Sequence, residues 1–163
     1  MDLDRVTRYQ RFETRAEYRS ALVTALECAV REVRILESDG VFAGFEQPAF
    51  ATVLDELLRR RGDAQVDILV RDAGFLERSC PRVNALMTTH GARLRVLRPD
   101  PPVPSFEKSL VLVDDSVVLR RPNANLPVAY WDCDEQAISA TRRLFEEIVS
   151  QSTTAYSVTP TGL

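Results

Sequence analysis

A chain of 163 residues, 45% apolar and 28% charged, has the size and make-up of one globular domain with a full core. Its net charge of −3 argues against wholesale electrostatic binding of nucleic acid, which makes such a partner an unfavoured expectation. The opening Met1-Asp2-Leu3-Asp4-Arg5 lacks the apolar stretch of a signal peptide, and no apolar run approaches the ~20 residues of a membrane span, so a cytoplasmic protein is expected.

Residues 1–13 carry mixed charge and scattered apolar groups and read as a mobile lead-in. Arg8, Arg11, Arg15 and Arg19 recur at three- and four-residue spacing, with Glu13 and Glu17 interleaved, the pattern of a solvated, salt-bridged face. Thr14 and Glu17 form a capping box for a first helix. Its apolar face is Tyr18, Ala21, Leu22, Ala25, Leu26 and Ala29, with Cys28 expected as a small buried hydrophobe. Val33 to Leu36 make a first strand, leaving through Ser38-Asp39-Gly40. Pro48 opens a second helix, with Phe50, Val53, Leu54, Leu57 and Leu58 inward. Arg59-Arg60-Arg61 complement its dipole, and Gly62 is expected to relieve a left-handed cap.

Val66 to Val70 form a second strand, leaving through Arg71-Asp72. A third helix runs from about Cys80-Pro81 to Gly91 and carries the single histidine, His90, in its last turn. Arg93 to Leu97 form a third strand, leaving through Arg98-Pro99-Asp100 into the proline-rich link 99–104. The runs Leu110–Val113 and Val117–Leu119, broken by Asp114-Asp115-Ser116, then read as a hairpin with charged ends. Asp132 or Asp134 caps a last helix, and residues 152–163 read as a frayed, disordered tail. The single domain is thus set at 14–151.

Strands alternating with helices imply an α/β fold with a mixed, mostly parallel sheet, and ligands of such sheets bind beyond the carboxyl ends of the parallel strands. Arg71 and Arg98, with Lys108 or Arg121, are therefore the candidate anion ligands, with Asp39 and Asp72 either orienting the arginines or capping turns. Three widely spaced cysteines (Cys28, Cys80 and Cys133) and one histidine exclude a recognisable zinc-ligand spacing. No metal and no cofactor are expected. Cys80 and Cys133 stand at helix starts, where a dipole can lower a thiol pKa, but both read first as structural thiols.

This order of elements, the charged hairpin closing in Asn, and the Leu144-Phe145-Glu146-Glu147-Ile148 helix resemble one half of the phospholipase D-like fold over roughly residues 15–150. Leu26–Ser38 and Cys80–Arg82 are similar to stretches of an uncharacterised bacterial domain assigned to that fold, which in some proteins follows an acetyltransferase domain; no acetyltransferase portion is present in the sequence. In catalytic members of the fold, a His-x-Lys-x4-Asp motif on the hairpin supplies the nucleophile and a phosphate-holding lysine, and an asparagine follows the second strand.

With Lys108 in register, the resemblance puts Phe106 at the histidine position and Asp114 one residue too far on; with Asp114 in register, it puts Glu107 and Ser109 at the His and Lys positions. Asn123 can stand for the family's Asn, with Arg121 and Pro122 in place of small residues. The expectation is a non-catalytic, degenerate phospholipase D-like binding or assembly module. It would be a homodimer retaining a site for a phosphate-containing ligand, or else would take a protein partner. The alternative is a phosphodiesterase or other hydrolase or transferase using a non-His group such as Cys133, Glu107 or Asp114. A third reading is nucleic-acid binding through the N-terminal arginines and Arg59–Arg61.

Overall fold

The computed structural model describes residues 9–158. Strand β1 (Tyr9–Phe12) and helix α1 (Arg15–Glu27) lead into β2 (Glu32–Glu37), α2 (Pro48–Arg60) and β3 (Gln65–Val70). Two helices, α3 (Gly74–Ser79) and α4 (Pro81–His90), precede β4 (Leu94–Pro99). The hairpin is β5 (Ser109–Val113) and β6 (Val117–Arg121), followed by β7 (Ala129–Asp132), α5 (Glu135–Ser150) and β8 (Ser152–Thr154). All eight strands share one sheet in the order β1-β7-β6-β5-β2-β3-β4-β8. The expected parallel core is β2-β3-β4, and the hairpin joins it antiparallel through β5 against β2. With β1, β7 and β8 also antiparallel, the sheet is mixed, and parallel pairing is confined to that core rather than predominant.

Strand parity divides the core into two layers. Val33, Ile35, Val66, Ile68, Val111, Val113, Val117 and Leu119 face α1 and α2, while Leu36, Leu69, Leu110, Leu112 and Val118 pack with Ile138, Phe145 and Ile148 of α5. Thr14 caps α1 by accepting the Glu17 amide, and its hydroxyl donates to the Glu17 carboxylate, as the capping-box spacing predicts in part. Of the two aspartates offered for α5, Asp134 is the cap; it accepts the Gln136 and Ala137 amides.

Several local expectations are corrected. Tyr9–Phe12, in the expected lead-in, pairs with β7, and Ser152–Thr154, in the expected tail, pairs with β4. Residues 1–8 and 159–163 of those two stretches, Arg8 among them, lie outside the described residues. Partner strands far away in the chain make these short runs strands, and no local periodicity announces that. Cys28 is exposed because α1 ends before it and it forms the C-cap. Positive φ falls at Gly40, Gly44 and Gly91 and not at Gly62. Arg59, Arg60 and Arg61 bond to Asp55, the Ala29 carbonyl and Asp63. Cys80 is buried, and that burial pushes its thiol up to about 11, against the lowering a helix start would give.

Asp114 explains how the hairpin turn is held. It takes φ +50°, and its carboxylate accepts the amides of Val30, Arg31 and Glu32 at 2.8–2.9 Å, tying the turn to the entry of β2. Charge-assisted bonds of this kind contribute roughly 1.5–3 kcal/mol each. Asp114→Ala should lower unfolding free energy by about 3 kcal/mol or more, and Asp114→Asn by roughly half as much, because one acceptor oxygen remains. Urea denaturation checks both values; equal stability of Asp114→Ala and the parent would remove Asp114 from this role.

Candidate functional site

The carboxyl ends of β2 and β3, the start of β5 and the end of β6 open into one cleft of about 1080 Å³. Glu37 and Arg121 floor it, as the outer members of a row of side chains on the α1 side of the sheet whose middle member, Ser109, is fully buried. On β2 the inward parity that begins with Val33 and Ile35 reaches Glu37; on β5 it runs from Val113 and Val111 to Ser109; on β6 it runs from Val117 and Leu119 to Arg121. Ser109 and Arg121 are direct cross-strand partners.

All three residues are buried, as is Tyr18, which reaches the row from α1. The Glu37 carboxylate accepts the Ser109 hydroxyl at 2.6 Å, the Tyr18 hydroxyl at 2.9 Å and Arg121 Nη2 at 3.2 Å. Arg121 Nη1 donates to the Ala124 and Leu126 carbonyls, which folds the 122–126 loop back over the end of β6. The guanidinium lies 3.9 Å from the centroid of Phe42 and 5.3 Å from that of Tyr18, so aromatic faces complete its surroundings. Its Nε alone finds no partner.

The electrostatics follow from this burial. Loss of water raises the Glu37 pKa, with Arg121 and the hydroxyl donors opposing that shift, and it pushes the Tyr18 phenol well up as well. An isolated buried charge is far costlier than a paired one, so Glu37 and Arg121 stand or fall together.

The cleft's outer wall is the loop after β2. Asp39 accepts the Val41 amide, and Gly40 at φ +92° lets the chain turn over the Phe45 ring, which any Cβ there would strike. Arg15 and Arg19 donate to the Val41 and Phe42 carbonyls, holding this wall to α1. The expected solvated stripe therefore has a structural task at these two positions. Opposite lie Pro102 to Pro104, Glu107 and the 122–125 loop.

Of the five anion ligands expected from sequence, the cleft brings together Arg71, Arg121 and Asn123. Arg71 is exposed, and no hydrogen bond or ion pair engages it among the described residues. Arg121 is engaged as above, and the Asn123 Oδ1 accepts the Asn125 amide. Lys108 has the opposite parity and lines a groove beside Ala140, Thr141 and Leu144 of α5. Arg98 lies exposed on β4 where that strand pairs with β8, outside the cleft lining. Asp72 accepts the Gly74 amide and, like Asp39, serves a turn.

Phe106 is buried in the α5-side core and borders the cleft, whereas Glu107 is exposed and lines it. His90 is held apart, bonded to Asp55 at 2.8 Å. Glu37, Ser109 and Tyr18 were not foreseen. The available signal was parity: each strand of the row carries a polar residue two places beyond an inward β-branched or aliphatic one.

Among the described residues no group of three or more His, Cys, Asp or Glu could hold a metal ion, and no helix is long and apolar enough to cross a membrane.

A model for a domain of unknown function, DUF7931, matches residues 14–156. No curated protein matches the sequence. Among solved structures, NucT from Helicobacter pylori superposes with a TM-score of 0.66 at 11% identity, over 90% of this chain and 98% of that one. Nuc from Salmonella typhimurium, a phospholipase D family member, gives 0.65 at 16% identity, over 91% and 97%. TrmBL2, an archaeal chromatin protein with a novel mode of DNA binding, gives 0.65 at 16% identity. The match covers 91% of this chain but only 54% of TrmBL2, so the chain spans about half of that relative. These likenesses establish a phospholipase D-like fold: a mixed α/β domain with an open sheet flanked by helices.

Replacing one member of the Glu37–Arg121 pair should cost about 3–5 kcal/mol, and replacing both by neutral groups of similar size should recover most of it. Urea denaturation of Glu37→Gln, of Arg121→Met and of the double variant reads this; additive losses would refute the pairing. Because the native pKa of Glu37 is raised, the folded state keeps a proton that the unfolded chain releases near pH 4.3. That contribution is complete below about pH 4.3 and is lost as pH rises through the raised native value. Glu37→Gln should flatten the fall of stability across this window, and a slope equal to the parent's would count against it.

Proposed function

The chain belongs to the family described as a domain of unknown function, DUF7931, and we propose that it is a non-catalytic phospholipase D-like module that binds a ligand in its cleft. The observation that carries the reading is the floor of the cleft. Nucleophilic displacement at phosphorus needs an unblocked nucleophile and a proton donor placed in line. Here the floor is Glu37 and Arg121, paired with each other, and the Ser109 hydroxyl beside them donates to Glu37 but is fully buried, out of line for a phosphorus atom in the cleft. Glu107, which reaches the cleft from the same end of the hairpin, is a solvated carboxylate; it can bind a cation or accept hydrogen bonds, but it is a weak nucleophile at neutral pH.

Arg71 is the group free to receive an anion, and Asn123 lies in the same lining. A phosphate-containing ligand anchored on Arg71 fits this arrangement, with the apolar wall of Val41, Phe42, Val103 and the prolines covering the rest of it. The homodimer expected from a half-fold belongs to the same proposal, and sedimentation velocity at two protein concentrations reads it.

Two assays test the cleft. Bis(p-nitrophenyl) phosphate, duplex DNA and phosphatidylserine vesicles should all remain uncleaved over hours; turnover abolished by Glu107→Gln would establish the alternative, an enzyme using a carboxylate. Calorimetric titration with a nucleoside monophosphate should show saturable binding that Arg71→Ala weakens about tenfold, the ~1.4 kcal/mol expected for one charge-assisted contact. Binding indifferent to Arg71→Ala, or none at all, would remove the anion site.

A further inference from the structure

The sheet carries a second surface, on the opposite face from the cleft floor. Helix α5 lies over β4, β5, β6 and β8, and among the described residues no helix packs on the α5-side face of β7 and β1 to a comparable extent. Parity places Arg120 of β6, Tyr130 of β7 and Arg11 of β1 in one cross-strand row, with Tyr9 diagonal to it. Tyr130 is the centre of the group. Arg120 lies 4.7 Å from its ring centroid, Arg11 lies 6.0 Å away, and the Tyr9 ring is 5.7 Å off at an interplanar angle of 31°. Tyr9 is 56% exposed and Arg11 is exposed. Lys108, out of place for the cleft, joins this face: it and Arg120 line the groove between the hairpin and α5.

We propose that this open face is a binding platform for single-stranded nucleic acid, with bases stacked on Tyr9, Tyr130 and the arginine planes, and phosphates held by Arg11, Arg120 and Lys108. The composition decides the class of partner. Tyr9 is the exposed large hydrophobic of this face; the other such residues among those described, Val30, Val41 and Leu126, lie elsewhere. A bilayer or a dry protein interface would want an aliphatic patch here.

Aromatic rings interleaved with cations on an uncovered sheet instead suit unpaired bases and their phosphates, and stacking is tolerant of sequence. The acidic groups nearby are already engaged: Glu13 pairs with Arg11 at 3.5 Å, and Asp132 accepts the Asp134 amide. The overall charge of −3 opposes long-range attraction, so stacking and short-range contacts must carry the affinity. The platform is separate from the cleft and does not depend on the cleft's ligand.

Fluorescence anisotropy of labelled dT12, rU12 and a blunt DNA duplex with the full chain tests this. The single strands should bind and the duplex should bind more weakly; the ratio of dT12 to rU12 tells whether DNA or RNA is preferred. Tyr130→Ala and Tyr9→Ala should each weaken binding about five- to 150-fold, the range of one lost base–aromatic stack. Arg120→Gln should lower the slope of log affinity against log salt by about 0.7. Arg98→Ala, exposed on β4 and outside both the cleft and this face, should leave dT12 affinity unchanged.

The proposal is overturned by an absence of saturable binding to either single strand at 50 mM salt. It is overturned equally by binding that Arg71→Ala abolishes and Tyr130→Ala spares. Self-association in sedimentation that Tyr130→Ala disrupts, without nucleic-acid binding, would make the face a contact between copies instead. Circular dichroism of Tyr9→Ala, an exposed edge position, supplies a variant whose folding is secure if Tyr130→Ala fails to fold.

Discussion

The ion pair between Glu37 and Arg121 governs the end of this domain at which the strands open. It joins the last residue of a central parallel strand to the last residue of the hairpin across Ser109, with both side chains buried. Neither charge could be accommodated there alone. Through Arg121 the pair also gathers the Ala124 and Leu126 carbonyls, so the loop closing one side of the cleft is positioned by the charge that forms its floor. Tyr18 links the same carboxylate to α1, and the α1 arginines hold the opposite wall by its carbonyls. Floor and one wall therefore share one electrostatic network, and α1 ties the other wall beside it.

That network bears on what the cleft can do. A phospholipase D-like scaffold exposes the ends of its central strands to a ligand. In this chain those ends bond to each other, which leaves reactive chemistry to groups further out, Glu107 and Arg71. Chemistry at phosphorus requires donors and a nucleophile held ready and unsatisfied. The floor of this cleft has its hydrogen bonds largely satisfied internally, which is the basis of the binding role proposed for it.

Much of the architecture was legible in the linear pattern. Helical periodicity from Tyr18 to Leu26, the proline at the start of α2, and the two β-branched runs around Asp114-Asp115-Ser116 each correspond to an observed element. They were legible because each depends on neighbours within a turn or two. β1, β7 and β8 were not, since four or fewer residues become a strand only when a distant partner supplies the hydrogen bonds. Arg71 and Arg121 could be nominated for the cleft from their places at strand and hairpin ends, and Asn123 from the family resemblance, but Lys108 and Arg98 could be nominated in the same way as the arginines, and nothing local separated the two groups.

By itself, then, the sequence determined the α/β class, the strand–helix alternation, the hairpin and the end of the sheet at which a cleft must open. Those features rest on periodicity, turn formers and the handedness of crossover connections. Only the tertiary structure decided which face each charged residue occupies. A shift of one place in a strand reverses its side, so Ser109 turns to Glu37 and Tyr18 on the α1 side while Lys108, its neighbour, looks toward α5. It also decided that Glu37 and Arg121, 84 residues apart, would be partners. Strand register sets that meeting, and register is a property of the assembled sheet.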